Sequence, residues 1–175
     1  MRNLFRICLL TFSMLVLAAA VASADPVLKQ YRAAMMQWYP KIITGNRLSN
    51  PYVIAFDGSH IWVTNYTDPA GSLSVFNASD GSPATSFGTN GVITGNGLSD
   101  PDGIAFDGNH VWVPNYNNPG SVSVFNASDG TPAKSFGNNG NITGLNNPMG
   151  IAFDGTNMWV TNGGYGVTRI PVLQY

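Results

Sequence analysis

The sequence repeats itself at intervals of roughly 50 residues. The stretch 51–66 returns almost unchanged as 101–116, and most of it returns once more as 148–162. A repeat of this length is typical of proteins that stack one supersecondary unit several times, because each unit buries its apolar surface only against its neighbours. The chain therefore contains two complete repeats and a shorter third one, covering about 51–100, 101–147 and 148–175.

Short apolar runs separated by turn residues fill each repeat, which is typical of several short strands rather than of helices. Asp57-Gly58 and Asp80-Gly81 mark two of the turns, because Gly accepts a positive φ and Asp bonds to its own backbone. In the first repeat we expect four strands, near residues 52–56, 61–65, 72–77 and 84–87.

A four-stranded antiparallel unit repeated in tandem is typical of β-propeller blades, so we expect an all-β fold. Four motifs support this interpretation: Pro-x-Gly-Ile-Ala-Phe-Asp, Trp-Val-Thr-Asn, Val-Ser-Val-Phe and Ser-Phe-Gly-x-Asn-Gly. Over residues 41–170 they resemble the motifs of NHL-repeat and YVTN-repeat propellers. The resemblance implies about three NHL-like blades in a repeat domain at 41–175. It implies no single function, since the superfamily includes interaction modules, lactonases and lyases.

The number of blades is too small for a closed ring. Propellers typically close with 4 to 8 blades, whereas this chain has about three repeats. Residues 42–51 copy 92–101, the end of a repeat, so the repeat domain begins where the last strand of a blade should finish. Two interpretations remain open. Two copies form a homodimer that completes a six-bladed ring by two-fold symmetry, or the chain is an incomplete ring, a half-propeller left as a truncated non-functional fragment.

The N-terminus has the pattern of a secretory signal peptide. Arg2 and Arg6 precede an apolar run at 7–21, and the small residues 22–24 form a cleavage signature. We therefore predict a signal peptide over 1–24 and a secreted or periplasmic protein that has no membrane contact after cleavage.

Residues 25–40 form an N-terminal segment between the leader and the repeats. Apolar residues at 28, 31, 35 and 38 have helical spacing, which suggests a short helix that caps the end of the array. That use competes with the alternative that the same residues contribute to the missing strand.

Charge and motif content exclude several classes of function. The chain carries 8 Lys and Arg against 9 Asp and Glu, a net charge of −1, which is not the basic footprint of a nucleic-acid-binding protein. No cysteine follows Cys8, so disulfides do not stabilise the exported chain. The sequence has no nucleophile elbow, phosphate loop, zinc pair or EF-hand loop. We expect no cofactor.

Two kinds of residue recur at turns and resemble metal ligands at first sight. An Asp precedes Gly in each repeat, at 57, 107 and 154, and the two histidines, His60 and His110, follow the first two of them. An Asp before Gly at a hairpin is typical of an Asx-turn, and equivalent positions on different blades lie apart. We predict a structural role for these residues and no metal site.

The resemblance also brings a catalytic alternative. Lactonases of this superfamily hold a metal with Glu, Asn and Asp in the central channel, and proteins similar to virginiamycin B lyase use His and Glu beside Mg. Residues 25–175 contain no Glu, which departs from both patterns. We expect a secreted β-propeller-type binding or interaction protein with no evident catalytic residues. The alternative is a metal-dependent lactonase or lyase whose site forms only on assembly.

The loops between the second and third strands vary from repeat to repeat, whereas the Asp-Gly turns are uniform. Variable loops on a rigid scaffold are where binding usually resides. Their Asn and Tyr residues offer hydrogen bonds and aromatic faces to an extracellular protein, peptide or glycan. The candidate ligand contacts are Asn65, Tyr66, Asp102, Asn115, Tyr116 and Asn162.

Overall fold

The structure is a computed structural model that describes residues 41–66, 70–164 and 166–172. Eleven strands form three antiparallel sheets, and the described residues include no helix. The predicted all-β fold is therefore confirmed. None of the three described sheets closes on itself. The predicted signal peptide at 1–24 and the N-terminal segment at 25–40 lie outside the described residues.

The first sheet contains four strands in the order of the chain. Trp62 stands opposite Ala55 on one side and opposite Val75 on the other, so the second strand lies between the first and the third. The strands are β1 (Pro51–Phe56), β2 (His60–Asn65), β3 (Ser72–Asn77) and β4 (Val92–Thr94).

The second sheet repeats this arrangement with the second copy of the sequence. Trp112 stands opposite Ala105 and Val124, the same register as Trp62 in the first sheet. The strands are β5 (Ala105–Phe106), β6 (His110–Asn115), β7 (Gly120–Asn126) and β8 (Asn141–Leu145).

The third sheet has three described strands, in the order β11-β10-β9. They are β9 (Pro148–Phe153), β10 (Asn157–Asn162) and β11 (Gly166–Pro171). The other two sheets each have a fourth strand. In the third sheet, no fourth strand follows β11 among the described residues.

The first three strands of the first repeat start and end within one residue of their predicted bounds, but the prediction of a fourth strand at 84–87 was wrong. That stretch is a turn in which the Phe87 backbone N–H donates to the Ala84 carbonyl at 3.0 Å, and both side chains are buried. Gly88 and Asn90 then take positive φ values of 47° and 54°, which a continuous strand does not allow. The fourth strand begins after this turn, at Val92.

Two apolar cores join the three sheets. In the first core, Trp62, Leu73 and Val75 of the first sheet meet Val111 and Val113 of the second. The second core lies on the opposite face of the second sheet and contains Trp112, Val122 and Val124 together with Met158 and Val160 of the third sheet. The second sheet is therefore covered on both faces, which explains why β6 is buried along nearly its whole length.

All eleven strands belong to one compact unit, residues 44–175. The described part of the chain includes no helix of the length and apolarity that crossing a bilayer requires.

Candidate functional site

The six predicted contact residues lie at one end of the three sheets. In each sheet a Pro at the start of the first strand, or just before it, stands opposite an Asn at the end of the next: Pro51 opposite Asn65, Pro101 opposite Asn115 and Pro148 opposite Asn162. The Asp-Gly turns connect the same strands at the other end. The variable loops are therefore grouped at the end that carries the candidates.

Asn65 is buried and uses its side chain within the fold. Its amide nitrogen donates to the hydroxyl oxygens of Ser72 and Ser74, each at 3.0 Å, and its amide oxygen accepts from the Ser49 backbone N–H at 3.2 Å. Asn65 thus ties the segment before β1 to β3.

Asn115 repeats this arrangement in the second sheet. Its amide nitrogen donates to Ser121 at 3.0 Å and Ser123 at 2.9 Å, and its oxygen accepts from the Ser99 backbone N–H at 3.1 Å. The structure therefore places Asn65 and Asn115 in the internal framework of the site, behind the surface that a ligand would reach.

Asn162 is half-buried in the third sheet. Its amide nitrogen donates to the Thr168 hydroxyl, as in the other sheets. Its amide oxygen is buried and has no hydrogen-bond partner, whereas the corresponding oxygens of Asn65 and Asn115 each accept from a Ser backbone N–H.

Tyr66, Asp102 and Tyr116 carry the accessible part of the candidate site. The Tyr66 backbone N–H donates to the Asn50 carbonyl at 3.1 Å, and the Tyr116 backbone N–H donates to the Asp100 carbonyl at 2.9 Å. Each tyrosine is therefore fixed beside the strand that begins the same sheet. The Tyr116 side chain is exposed.

Tyr52 joins this group, although the sequence analysis did not select it. Its side chain is 62% exposed and its ring centroid lies 5.8 Å from that of Tyr66. Its hydroxyl also lies near enough to the Asp102 carboxylate of the next repeat to lower the pKa of that group. The alignment of repeats contained the signal, because Tyr52 occupies the position that Asp102 holds one repeat later. We call Tyr52, Tyr66, Asp102 and Tyr116 the tyrosine surface.

The pKa of Asp102, the carboxyl group of the tyrosine surface, is raised in the folded protein. Partial burial raises the pKa of Asp102, and the negative charge of Asp100 raises it further, while the hydrogen bond from Tyr52 opposes the change. One oxygen of Asp100 is buried without a hydrogen-bond partner.

The predicted Asx-turns at the opposite end are confirmed. Oδ1 of Asp57 accepts from the backbone N–H groups of Ser59 at 2.8 Å and His60 at 2.6 Å. Oδ2 accepts from the Trp62 indole N–H at 2.7 Å and lies 3.1 Å from Nδ1 of His60. Burial raises the pKa of Asp57, but these hydrogen bonds outweigh it and the net pKa is lowered.

The same cluster recurs in the other two sheets with one change. Asp107 bonds to His110 and Trp112 as Asp57 does to its neighbours. Asp154 bonds to Trp159 and to Asn157, which stands in the place of the histidine. Each histidine therefore belongs to a separate turn. Among the described residues, no group of three or more His, Cys, Asp or Glu is arranged to hold a metal ion.

A shallow cleft of about 290 Å³ lies between the first two repeats. Gly88, Thr89 and residues 92–94 line one side, and Phe125 with residues 129–132 line the other. None of the four residues of the tyrosine surface lines this cleft.

No protein-family model, no curated protein and no solved structure matches the chain.

Proposed function

We propose that the protein is a secreted binding protein of the β-propeller type, acts without catalysis, and holds its ligand on the tyrosine surface. Two features support the propeller part of this proposal. The sheets share one strand order, and each packs face to face on the next through an apolar core. Three of the four motifs that resemble NHL repeats fall on equivalent strands of these sheets, and the fourth, Ser-Phe-Gly-x-Asn-Gly, falls on the turn before the fourth strand.

The contact between Tyr52 and Asp102 carries the proposal of a ligand surface. It brings together a side chain of β1 and one from the segment before β5, at the end where the variable loops lie. The Tyr66 ring packs beside Tyr52 and extends this aromatic area. Partly exposed aromatic rings beside a carboxylate are typical of recognition surfaces rather than of surfaces left to water.

The chemistry of the tyrosine surface points to a glycan as its ligand. The phenol rings offer flat faces for the C–H groups of a sugar, and Asp102 accepts hydrogen bonds from hydroxyl groups. The four residues include no Lys or Arg, so the surface has no group that would attract an anion. A peptide with Lys or Arg side chains is the second candidate, because a carboxylate also binds cationic donors.

The proposal is tested by applying the purified protein to a glycan array and, in parallel, to a peptide array. The dissociation constant of the strongest ligand is then measured by calorimetry. Replacing Tyr52 and Tyr66 together by Ala should raise that constant at least about tenfold, as loss of aromatic anchors usually does. Tyr52→Phe should have a smaller effect, because it keeps the ring and removes only the hydroxyl.

Ser59→Ala is the matched control, since Ser59 is exposed in the turn at the opposite end of the first sheet. It should leave the dissociation constant unchanged. If the double tyrosine variant binds as tightly as the original protein, the tyrosine surface is not the binding site.

A further inference from the structure

The outer face of the first sheet is apolar and exposed. Ile54 and Phe56 alternate on this face of β1, and Ile54 is 63% exposed. In the second sheet the corresponding residue, Ile104, is only 8% exposed, because it lies in the core against the first sheet. The first sheet therefore has the surface of a sheet that lacks its preceding neighbour.

The outer face of the third sheet is also exposed, although the corresponding faces of the other two sheets are buried in the cores. Trp159 is 39% exposed, although its counterparts Trp62 and Trp112 are 0% exposed in the two cores. Val167 is exposed on the same face, at the position of the buried Leu73. Arg169 also lies there, and its aliphatic stem suits an apolar contact while its charged end reaches water.

Within the chain, a face like the outer face of the first sheet packs twice on a face like the outer face of the third sheet. The face with Ile104, Val111 and Val113 covers the face with Trp62. One sheet later, Met158 and Val160 belong to the face that covers Trp112. The two exposed faces are thus the two halves of an interface that the molecule builds internally, and a second copy of the same chain presents both halves.

Among the described residues, the third sheet has no fourth strand beside β11, and residues 42–44 have the sequence to supply one. They read Ile-Ile-Thr, where β4 reads Val-Ile-Thr, and Gly45-Asn46 follows as Gly95-Asn96 does. Ile42 is 85% exposed, whereas Val92, its counterpart in β4, is 5% exposed. Residues 42–44 therefore have the sequence of a fourth strand, but the side chain of Ile42 is exposed to solvent.

The backbone that follows residues 42–44 has the same conformation as the backbone that follows β4. Gly45 and Asn46 have φ values of 90° and 48°, matching 80° and 51° at Gly95 and Asn96. The Asn46 side chain donates to two backbone carbonyls of the first repeat, as Asn96 does to two of the second repeat. The turn into the first sheet is therefore already formed.

We propose that two copies of the chain associate by two-fold symmetry and that residues 42–44 of each copy form the fourth strand of the partner's third sheet. By analogy with β3 and β4, where Leu73 stands opposite Ile93, Ile43 of one copy stands opposite Val167 of the other. The outer face of each first sheet then covers the outer face of a third sheet. Two copies bring six sheets together, within the range of 4 to 8 that closes a propeller ring. This inference does not depend on what the tyrosine surface binds.

A disulfide tests the strand exchange directly. Ile43→Cys and Val167→Cys are introduced together in a chain whose natural Cys8 is replaced by Ser. Opposite residues of antiparallel strands have Cα atoms about 4.5–5.5 Å apart, which a disulfide spans. The doubly substituted protein should run as a covalent dimer under non-reducing conditions, and neither single variant should do so. A disulfide within one chain, or none at all, would overturn the proposed pairing.

Sedimentation equilibrium tests the association itself. The protein should have the mass of a dimer at micromolar concentration, and Ile43→Asp should raise the dimer dissociation constant by about 100-fold, because it places a charge in the new interface. Ser79→Asp adds the same charge at an exposed turn residue, and its counterpart Ser128 stays exposed in the second sheet, which is covered on both faces. This control should leave the dimer unchanged. A monomer at all concentrations, or an open-ended polymer, would refute the closed two-copy ring. Equal weakening by both substitutions would also refute it.

Discussion

The indole N–H of Trp112 donates a hydrogen bond of 2.7 Å to Oδ2 of Asp107, and both residues are buried. The other carboxylate oxygen of Asp107 accepts from the backbone N–H groups of Asn109 and His110. One side chain thus fixes the turn between β5 and β6 and also the tryptophan that fills the second core. The turn and the core depend on each other through this carboxylate.

Asp107→Ala should therefore lower the free energy of unfolding by about 3 kcal/mol, because it leaves the Trp112 N–H and two backbone N–H groups without their acceptor. Urea unfolding followed by tryptophan fluorescence measures the change. Asp129→Ala is a matched control. Asp129 also accepts from a backbone N–H, that of Thr131, and from the Thr131 hydroxyl, but it is exposed, whereas Asp107 is buried and accepts from a tryptophan. Its loss should be about 1 kcal/mol, and equal losses would show that the tryptophan bond contributes nothing.

Phe87→Ala should destabilise the first core by about 3–5 kcal/mol, the usual cost of removing a large buried ring. Phe87 is 1% exposed and packs edge-on against Trp62, with 5.3 Å between ring centroids. Ser86→Ala changes the exposed neighbouring residue and should alter the free energy of unfolding by less than about 0.5 kcal/mol. A small effect of Phe87→Ala in the same urea experiment would mean that the turn at 84–87 does not seal the core.

Gly120→Ala should weaken the contact between the second and third repeats. A Cβ atom at Gly120 would lie 2.3 Å from Cδ of Pro148 and 2.5 Å from the Asn117 carbonyl oxygen. The backbone would have to move, at a cost of about 1–3 kcal/mol. Gly166→Ala meets no atom within 4 Å and occupies the position of Ser72 in the first sheet. The two melting temperatures should differ clearly, and similar values would contradict the close approach at Gly120.

Acid should destabilise the protein through the Asx-turn aspartates. The hydrogen bonds lower the pKa of Asp57 and of Asp154 in the folded state below the ordinary value of 3.8. A lowered pKa contributes stability at neutral pH that is lost as the pH falls below that value. Urea unfolding at pH 7, 4 and 3 should show this loss, and Asp57→Asn should reduce its size. An unchanged pH profile in the variant would contradict the assignment.

Asp102 should show the opposite pH dependence. Its pKa is raised in the folded state, because burial and Asp100 disfavour the charged form, so the charged group lowers stability at neutral pH. Asp102→Asn should raise the free energy of unfolding at pH 7, and the gain should disappear below about pH 4, where the carboxyl is protonated in both states. An Asn oxygen still accepts from Tyr52, which keeps the comparison conservative. A loss of stability at pH 7 would show that the hydrogen bond outweighs burial.

The strands of the first repeat could be predicted wherever apolar residues and turn residues alternate cleanly. Ser72–Asn77 has the predicted bounds because alternating Ser and apolar residues fix a half-buried strand. The fourth strand could not be located in this way. Val92–Thr94 has three residues, too few to show a period, whereas Ala84 and Phe87 carry the stronger apolar signal and use it in a buried turn.

The sequence predicted the end of the sheets at which the candidate site lies, but not which of its residues are buried. Strand parity put the variable loops at one end, and Tyr66, Asp102 and Tyr116 lie there in the structure. The burial of Asn65 and Asn115 could not be predicted, because an Asn at the end of a strand is equally typical of an exposed loop. Their role depends on serines of the neighbouring strand, and that pairing requires the register.

Because each sheet is made of strands that are consecutive in the chain, most pairing partners are close in sequence. Local pairings of this kind form quickly, since little loop entropy is lost before contacts are gained. During synthesis each sheet can therefore form soon after its last strand leaves the ribosome and then dock on the sheet made before it. Among the described residues no sheet precedes the first one, so its outer face is exposed to solvent while the later sheets form. In the proposed two-copy ring, burying that face is a bimolecular step, and its rate depends on the concentration of completed chains.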